Sequence, residues 1–272
     1  MPTFNWGDRT VHYLDEGTGD PLVLLHPASP PASGMWRKVI PFLVNEFRLL
    51  APDLLGFGQT SAWTKATPLM PQDQANLVRA FIAEVSDAPV HLVGHSYGGA
   101  AAIRTALTSP DQIRRLTVIE PLLMAMLASA GETELYEGYK QMVETFISNA
   151  KAGRRYDAWR SFIDYWSEDG SWDRMSDKAK ESMLRQTETA LVGMPGNLQD
   201  TTSTADLHGL QIPTLVVCGE KTAVVHRRLT TILNDEIPDS RYRLIAEAGH
   251  MSILTHPEEM AAVIREHFAA VA

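Results

Sequence analysis

The strongest chemical signal in the chain is a serine between two glycines, in the run Val93-Gly94-His95-Ser96-Tyr97-Gly98-Gly99. It follows a short apolar run at 90–93 and precedes Ala100-Ala101-Ala102-Ile103, which reads as helix. A G-x-S-x-G pentapeptide at a strand-to-helix turn is the setting that lifts a serine hydroxyl above a sheet as a nucleophile. Gly94 and Gly98 carry no Cβ, so strand and helix can approach closely enough for so sharp a bend. The helix start also turns N–H groups and its positive end toward the place where negative charge develops. Such a serine attacks carbonyl carbon once a base takes its proton.

The surrounding chain must supply a sheet and helices to hold that turn. Residues 9–16 alternate as a half-buried strand does. Runs at 21–25, 48–51, 90–93, 116–119, 214–217 and 241–245 are short and rich in Leu, Val and Ile, as in strands covered on both faces. Helical segments are expected at 35–45, 72–85, 97–108, 227–234 and 257–271. The last opens with a proline and two acids, which suits a helix start. This alternation predicts an α/β fold with a mainly parallel, doubly wound sheet.

One stretch breaks the rhythm. Residues 123–205 show helical periodicity and a concentration of aromatics, Trp159 and Trp166 among them, but no strand. That is too long for a loop, so a helical subdomain is expected there, inserted into a core made of 1–122 and 206–272.

Composition narrows the function. The chain has 272 residues, enough to bury roughly 75% of its unfolded surface without a metal or disulfide staple. Its net charge of −9 and short basic clusters, such as Arg114-Arg115, argue against tracking a phosphate backbone, so no nucleic-acid partner is expected. The single Cys218 lies in an apolar run and reads as a buried small hydrophobe. No apolar run approaches the roughly 20 residues of a membrane helix, and residues 1–8 lack the basic and apolar parts of a signal peptide. A soluble, cytoplasmic protein with no membrane partner is expected; the oligomeric state is not readable.

At this point the chain resembles the α/β-hydrolase fold family along nearly its whole length. Leu24-Leu25-His26-Pro27 stands where that family has an apolar strand ending in His-Gly. Pro52-Asp53-Leu54-Leu55-Gly56-Phe57-Gly58-Gln59-Thr60 looks like its Pro-Asp-x-x-Gly-x-Gly-x-Ser segment, and Ala248-Gly249-His250 like the loop presenting its catalytic histidine. The helical cap after the sixth strand fits as well.

The resemblance implies Ser96 as nucleophile and His250 as general base. His26 is expected to hold a loop, His95 to point away from the serine, and His256 to serve at a helix start. The usual acid position after the seventh strand holds Thr222, which cannot stabilise an imidazolium as a carboxylate does. Members resembling the haloalkane dehalogenases carry the acid at the end of the sixth strand, and there this chain has Glu120. Glu220 and Glu247 are the alternatives. Oxyanion donors are expected at the N–H groups of Tyr97 and Ala28, because Pro27 has none to give. Trp159, Trp166 and Met251 are the expected substrate contacts. No metal or cofactor is expected.

The expected activity is hydrolysis of a small carboxylic ester or related acyl compound through an acyl-enzyme. Serine at the elbow excludes the aspartate-based epoxide and haloalkane chemistries that this resemblance also covers. Lactone hydrolysis, carbon–carbon hydrolysis and a small-molecule receptor with a weak triad remain alternatives. For the second, Met251 stands where a Trp often follows the catalytic histidine.

Overall fold

The computed structural model describes residues 1–167 and 170–269. Eight strands form one sheet: β1 (Thr3–Trp6), β2 (Arg9–Glu16), β3 (Asp20–Leu25), β4 (Phe47–Pro52), β5 (Val90–His95), β6 (Ile113–Ile119), β7 (Thr214–Gly219) and β8 (Ser240–Ile245). Their spatial order is β1-β2-β4-β3-β5-β6-β7-β8. The pairs β1–β2 and β2–β4 are antiparallel, and all the others are parallel.

The apolar runs explain the layering. Side chains alternate between faces along a strand, so a strand covered on both sides must be apolar throughout. Val23 and Leu25 pack into one cluster with Leu50, Leu92, Val118 and Val216. Leu22 and Leu24 pack into the other, with Leu49, Val93, Ile119 and Val217. Each such burial contributes about 1.5–3 kcal/mol. β1 was not expected from sequence: it is a short edge strand whose only fully buried side chain is Phe4, too brief for a periodicity to show.

The helix Tyr97–Thr108 has the expected bounds, and Pro71–Val85 and Val224–Glu236 extend the expected ones slightly. The single helix expected over 35–45 is instead two short ones, Ala32–Met35 and Ile40–Leu43. Pro41 sits in the first turn of the second, where its missing N–H is harmless, but it cannot continue a preceding helix. The terminal helix is Pro257–Ala269; the remainder of its expected span, Ala270 and Val271, lies outside the described residues.

Between β6 and β7 the described chain is helical. The longest helices are Thr133–Lys151, Arg155–Trp166 and Thr187–Gln199, and the short helix Thr204–Leu207 crosses the expected boundary at 205. Aromatic edges meet aromatic faces inside this layer. Phe146 and Trp159 lie 5.0 Å apart at 85°, and Trp159 and Phe162 lie 5.4 Å apart at 80°. Polar ties bind the layer to the sheet domain: Thr189 Oγ1 donates to the Gly56 carbonyl at 2.7 Å, and Leu69 N–H to the Val192 carbonyl at 2.9 Å. No described helix is long and apolar enough to cross a membrane.

Candidate active site

Ser96 sits between β5 and the helix Tyr97–Thr108 with φ 53° and ψ −115°, a conformation that disfavours a side chain. The strain is held by bonds from the neighbouring crossover. Ser96 N–H donates to the Ile119 carbonyl at 2.9 Å, and Leu122 N–H donates to the Ser96 carbonyl at 3.0 Å. The two flanking glycines are sterically required. A Cβ on Gly94 would stand 2.5 Å from the Gly98 carbonyl oxygen, and one on Gly98 would stand 2.5 Å from that of His26.

Glu120 follows β6, is fully buried, and also has positive φ, at 42°. Its carboxylate is fully engaged. Oε1 accepts from Gly219 N–H at 2.7 Å, and Oε2 accepts from Thr222 Oγ1 at 2.7 Å and from His250 Nδ1–H at 2.6 Å. A buried carboxylate is tolerable only with such a full set of donors. Thr222, which stands where the acid was sought from sequence, is thus one of its hydrogen-bond donors.

His250 is partly exposed, and bonding through Nδ1 leaves its Nε2 free of any protein partner among the described residues. Its carbonyl accepts from His95 Nε2–H at 2.9 Å, so the His95 ring lies beneath His250. The two alternative acids face elsewhere. Glu220 Oε2 accepts from the Glu247 backbone N–H at 2.9 Å, and the Glu247 carboxylate pairs with Lys221 Nζ at 2.5 Å in solvent. His256 stands at the start of the terminal helix, its carbonyl accepting from Met260 N–H at 3.0 Å.

The loop after β3 is fixed by His26. Leu54 N–H donates to its Nε2 at 2.9 Å, so Nδ1–H donates to the Pro27 carbonyl at 2.6 Å. Buried Asp53 stiffens the same region by accepting from Ala32 N–H at 3.0 Å and Gln59 N–H at 3.1 Å. Among the described residues the N–H groups of Ala28 and Tyr97 have no protein acceptor. The Ser96 hydroxyl has none either; such bonds commonly tighten only when substrate binds.

A mostly apolar cavity adjoins this edge, lined by Ala28, Tyr97 and Leu122 from the sheet domain and by Trp159, Phe162 and Met194 from the insertion, among others. Trp159 lines it, its Nε1–H held by Thr187 Oγ1 at 3.0 Å. Trp166 and Met251, also expected as substrate contacts, do not line it. Met251 packs against the apolar cluster on the other face of the sheet, because the chain turns back there into the short helix Ser252–Thr255. Trp166 stacks instead on His226, with ring centroids 4.4 Å apart at 22°.

His226 was not singled out from sequence. It is buried on the helix Val224–Glu236, and its ring stacks on His250 at 4.1 Å and 10°. The only sequence signal was its place among the buried positions 225, 226, 229 and 230 of that helix. Burial, and then the neighbouring His250, push both His226 and His95 well below the ordinary histidine range. Glu120, His226 and His250 each offer a ligand atom within 4.8 Å of the others. Parallel rings, however, direct their in-plane lone pairs side by side and not toward one point, so the arrangement does not suit a metal ion.

The comparisons with known proteins agree with this architecture. A family model described as "alpha/beta hydrolase fold" matches residues 21–257. The chain is 28% identical, over 94% of its length and 87% of the relative's, to a 2-hydroxy-6-oxo-6-(2'-aminophenyl)hexa-2,4-dienoic acid hydrolase of Metapseudomonas resinovorans. It is 26% identical, over 93% of its length and 96% of the relative's, to a pimeloyl-[acyl-carrier protein] methyl ester esterase of Aeromonas hydrophila subsp. hydrophila. In structure it resembles an alpha/beta hydrolase enzyme from a Medee basin deep-sea metagenome library, with a TM-score of 0.82, 19% identity, and 100% and 98% of the two chains covered. A matching family model over most of the chain, on a sheet of this order with its crossovers, means that the protein belongs to the alpha/beta hydrolase fold family.

Proposed function

We propose that the protein is a serine hydrolase of small carboxylic esters. The observation that carries this reading is the buried Glu120 carboxylate on His250 Nδ1 at 2.6 Å, with the strained Ser96 at the adjoining strand end. In this reading Ser96 Oγ attacks the ester carbonyl carbon as its proton passes to His250 Nε2. Glu120 holds the tautomer that leaves Nε2 free and stabilises the imidazolium. The tetrahedral oxyanion accepts from the N–H groups of Ala28 and Tyr97, and the helix Tyr97–Thr108 adds its positive end. Collapse breaks the carbonyl–alkoxy bond, and the leaving alkoxide takes the proton from His250. Water then gives a proton to His250 and attacks the acyl-enzyme, which releases the acid and restores Ser96.

The relative named for a dienoic acid supports a second reading, carbon–carbon hydrolysis of a keto acid. The cavity favours the ester. Desolvating a substrate carboxylate against neutral donors alone costs more than desolvating an ester, and this lining offers no cation, its polar side chains being Tyr97, Tyr139, Gln186, Thr189 and Asn197. Turnover of p-nitrophenyl acetate, butyrate and octanoate, with mass-spectrometric location of a fluorophosphonate adduct, tests the proposal. An adduct on Ser96 with steady ester turnover is expected. Labelling elsewhere, or turnover of a dienoic keto acid in preference to every ester, overturns it.

A further inference from the structure

His226 is a buried histidine that hydrogen-bonds to nothing through its side chain. Among the described residues neither of its ring nitrogens has a partner, and neither does Nε1 of Trp166. A buried polar group left without a partner opposes folding, so such a residue calls for a specific reason. The nitrogens do not supply it. What the ring does offer is its two faces, and both are used. One lies on Trp166 at 4.4 Å and 22°, the other on His250 at 4.1 Å and 10°. The His95 ring stands at the other side of His250, 4.8 Å away and tilted by 42°.

We propose that His226 is a positioning residue: the face of its ring holds the His250 imidazole in the plane that meets Glu120, and ties that plane to Trp166 of the helical insertion. The need for it follows from how His250 is otherwise held. Its side chain is partly exposed, follows β8 on a loop, and is anchored at its ring by one hydrogen bond, to Glu120. A single bond fixes one nitrogen and leaves the ring free to swing about it. A flat buried surface parallel to the ring removes that freedom. Displacement by about 1 Å costs on the order of 10²-fold in rate where the reacting atoms must be aligned.

The stack also fits the charge change that attack imposes. When His250 becomes an imidazolium, the titratable groups facing it are Glu120, His95 and His226. The carboxylate supplies the counter-charge. Burial keeps the other two rings neutral, so the π face of His226 meets the cation without a competing positive charge. Trp166 is the outer plate, and it belongs to the helix Arg155–Trp166, which also contributes Trp159 and Phe162 to the cavity. The base and the cavity wall are thus linked through one short stack.

The part of this inference that concerns rate rests on the proposed serine-hydrolase chemistry; the part that concerns ring position does not. Two readouts keep them apart. His226→Phe retains a flat face, whereas His226→Leu removes it, and Trp166→Leu removes the outer plate. In ester turnover, His226→Leu is expected to lower kcat at least tenfold with KM within about threefold, while His226→Phe stays within about threefold in both. Combining Trp166→Leu with His226→Leu is expected to cost little beyond His226→Leu alone, as for residues acting through one another. The second readout is the low-field proton resonance of the His250–Glu120 bond, followed by NMR with thermal melting as the control for folding. It should broaden or vanish in His226→Leu and persist in His226→Phe. A sharp, unshifted resonance in folded His226→Leu overturns the inference. So does an equal kcat loss in both His226 variants, which would assign the role to the nitrogens. An inactive parent protein whose resonance still disappears in His226→Leu sinks the ester reading and leaves the positioning role standing.

Discussion

The sheet domain and the helical insertion are built from different physics. In β5 and β7 every residue is buried, and in β6 only Arg114 is exposed. The polar groups at that edge are locked by backbone bonds: Glu120 is held by Gly219 N–H, Ser96 by Ile119 and Leu122, and the His250 loop by Lys221 N–H donating to the Ala248 carbonyl at 2.8 Å. The insertion rests on side chains. Its helix Asp177–Arg185 has no fully buried residue, and its coherence comes from aromatic edges, Trp159 on Phe146 and Phe162. Backbone-held groups cannot move far without breaking the sheet, whereas packed side chains can be exchanged at moderate cost. In the proposed function, chemistry falls to the first region and substrate choice to the second.

The sharpest way to break that division is to remove groups from the locked edge. Ser96→Ala should lower ester turnover about 10⁶-fold, with an unchanged melting temperature, because in the proposed reaction the hydroxyl carries the covalent step, and among the described residues it has no hydrogen-bond partner. Stopped assays alongside calorimetry check both halves. Glu120→Gln should cost about 10³–10⁴ in kcat, since an amide favours the wrong tautomer of His250. Glu220→Gln should cost tenfold or less, because that carboxylate holds only the Glu247 N–H. The reverse ranking would move the acid to the end of β7. Thr222→Val takes one donor from Glu120 Oε2 and is expected to cost roughly tenfold, about the worth of one hydrogen bond to a charged group.

Away from Trp166, changes in the insertion should act on choice and not on chemistry. Trp159→Leu opens the cavity wall and is expected to shift the octanoyl-to-acetyl ratio of kcat/KM by roughly tenfold. Met251→Ala, on the opposite face of the sheet, should leave the acyl ranking as it is. If Trp159→Leu kept the parent ranking, the insertion would be packing alone.

The smallest effect concerns pH, and it belongs to the sheet domain. Burial pushes His91 and His267 down to about 4. Between that value and the unfolded pKa of about 6.5, the unfolded chain binds protons that the folded one does not. Stability should therefore fall as pH drops from about 6.5 toward 4, and thermal melts across that window should show a decline of several degrees, at about 2–4 °C per kcal/mol. His267→Gln should flatten the slope. A melting temperature independent of pH in that range would show that neither ring is kept neutral by the fold.

Several features were legible in the sequence because they are local. The elbow is contained in five residues, its steric demand is set by the missing Cβ atoms of Gly94 and Gly98, and the buried strands announce themselves as unbroken Leu, Val and Ile runs. The family resemblance likewise rested on short segments in order. Where local signals were faint, the reading slipped: β1 is four residues long, and the pair of short helices at Ala32–Met35 and Ile40–Leu43 has the apolar spacing of one.

Other features are decided between residues far apart in the chain. Sequence alone left three carboxylates in contention for the acid. The structure puts Glu120 on His250 across 130 positions and turns Glu220 and Glu247 toward backbone and solvent. Likewise, Trp159, Trp166 and Met251 were equivalent candidates for the cavity until docking of the insertion separated them. His226 gave no sign of its neighbours, since stacking depends on ring planes supplied by β5, the loop after β8 and the insertion together. A side chain's type and its spacing along a strand or helix are written in sequence, but the partner it meets is set by how those elements pack, and here that packing brings His250, Glu120 and His226 to one sheet edge.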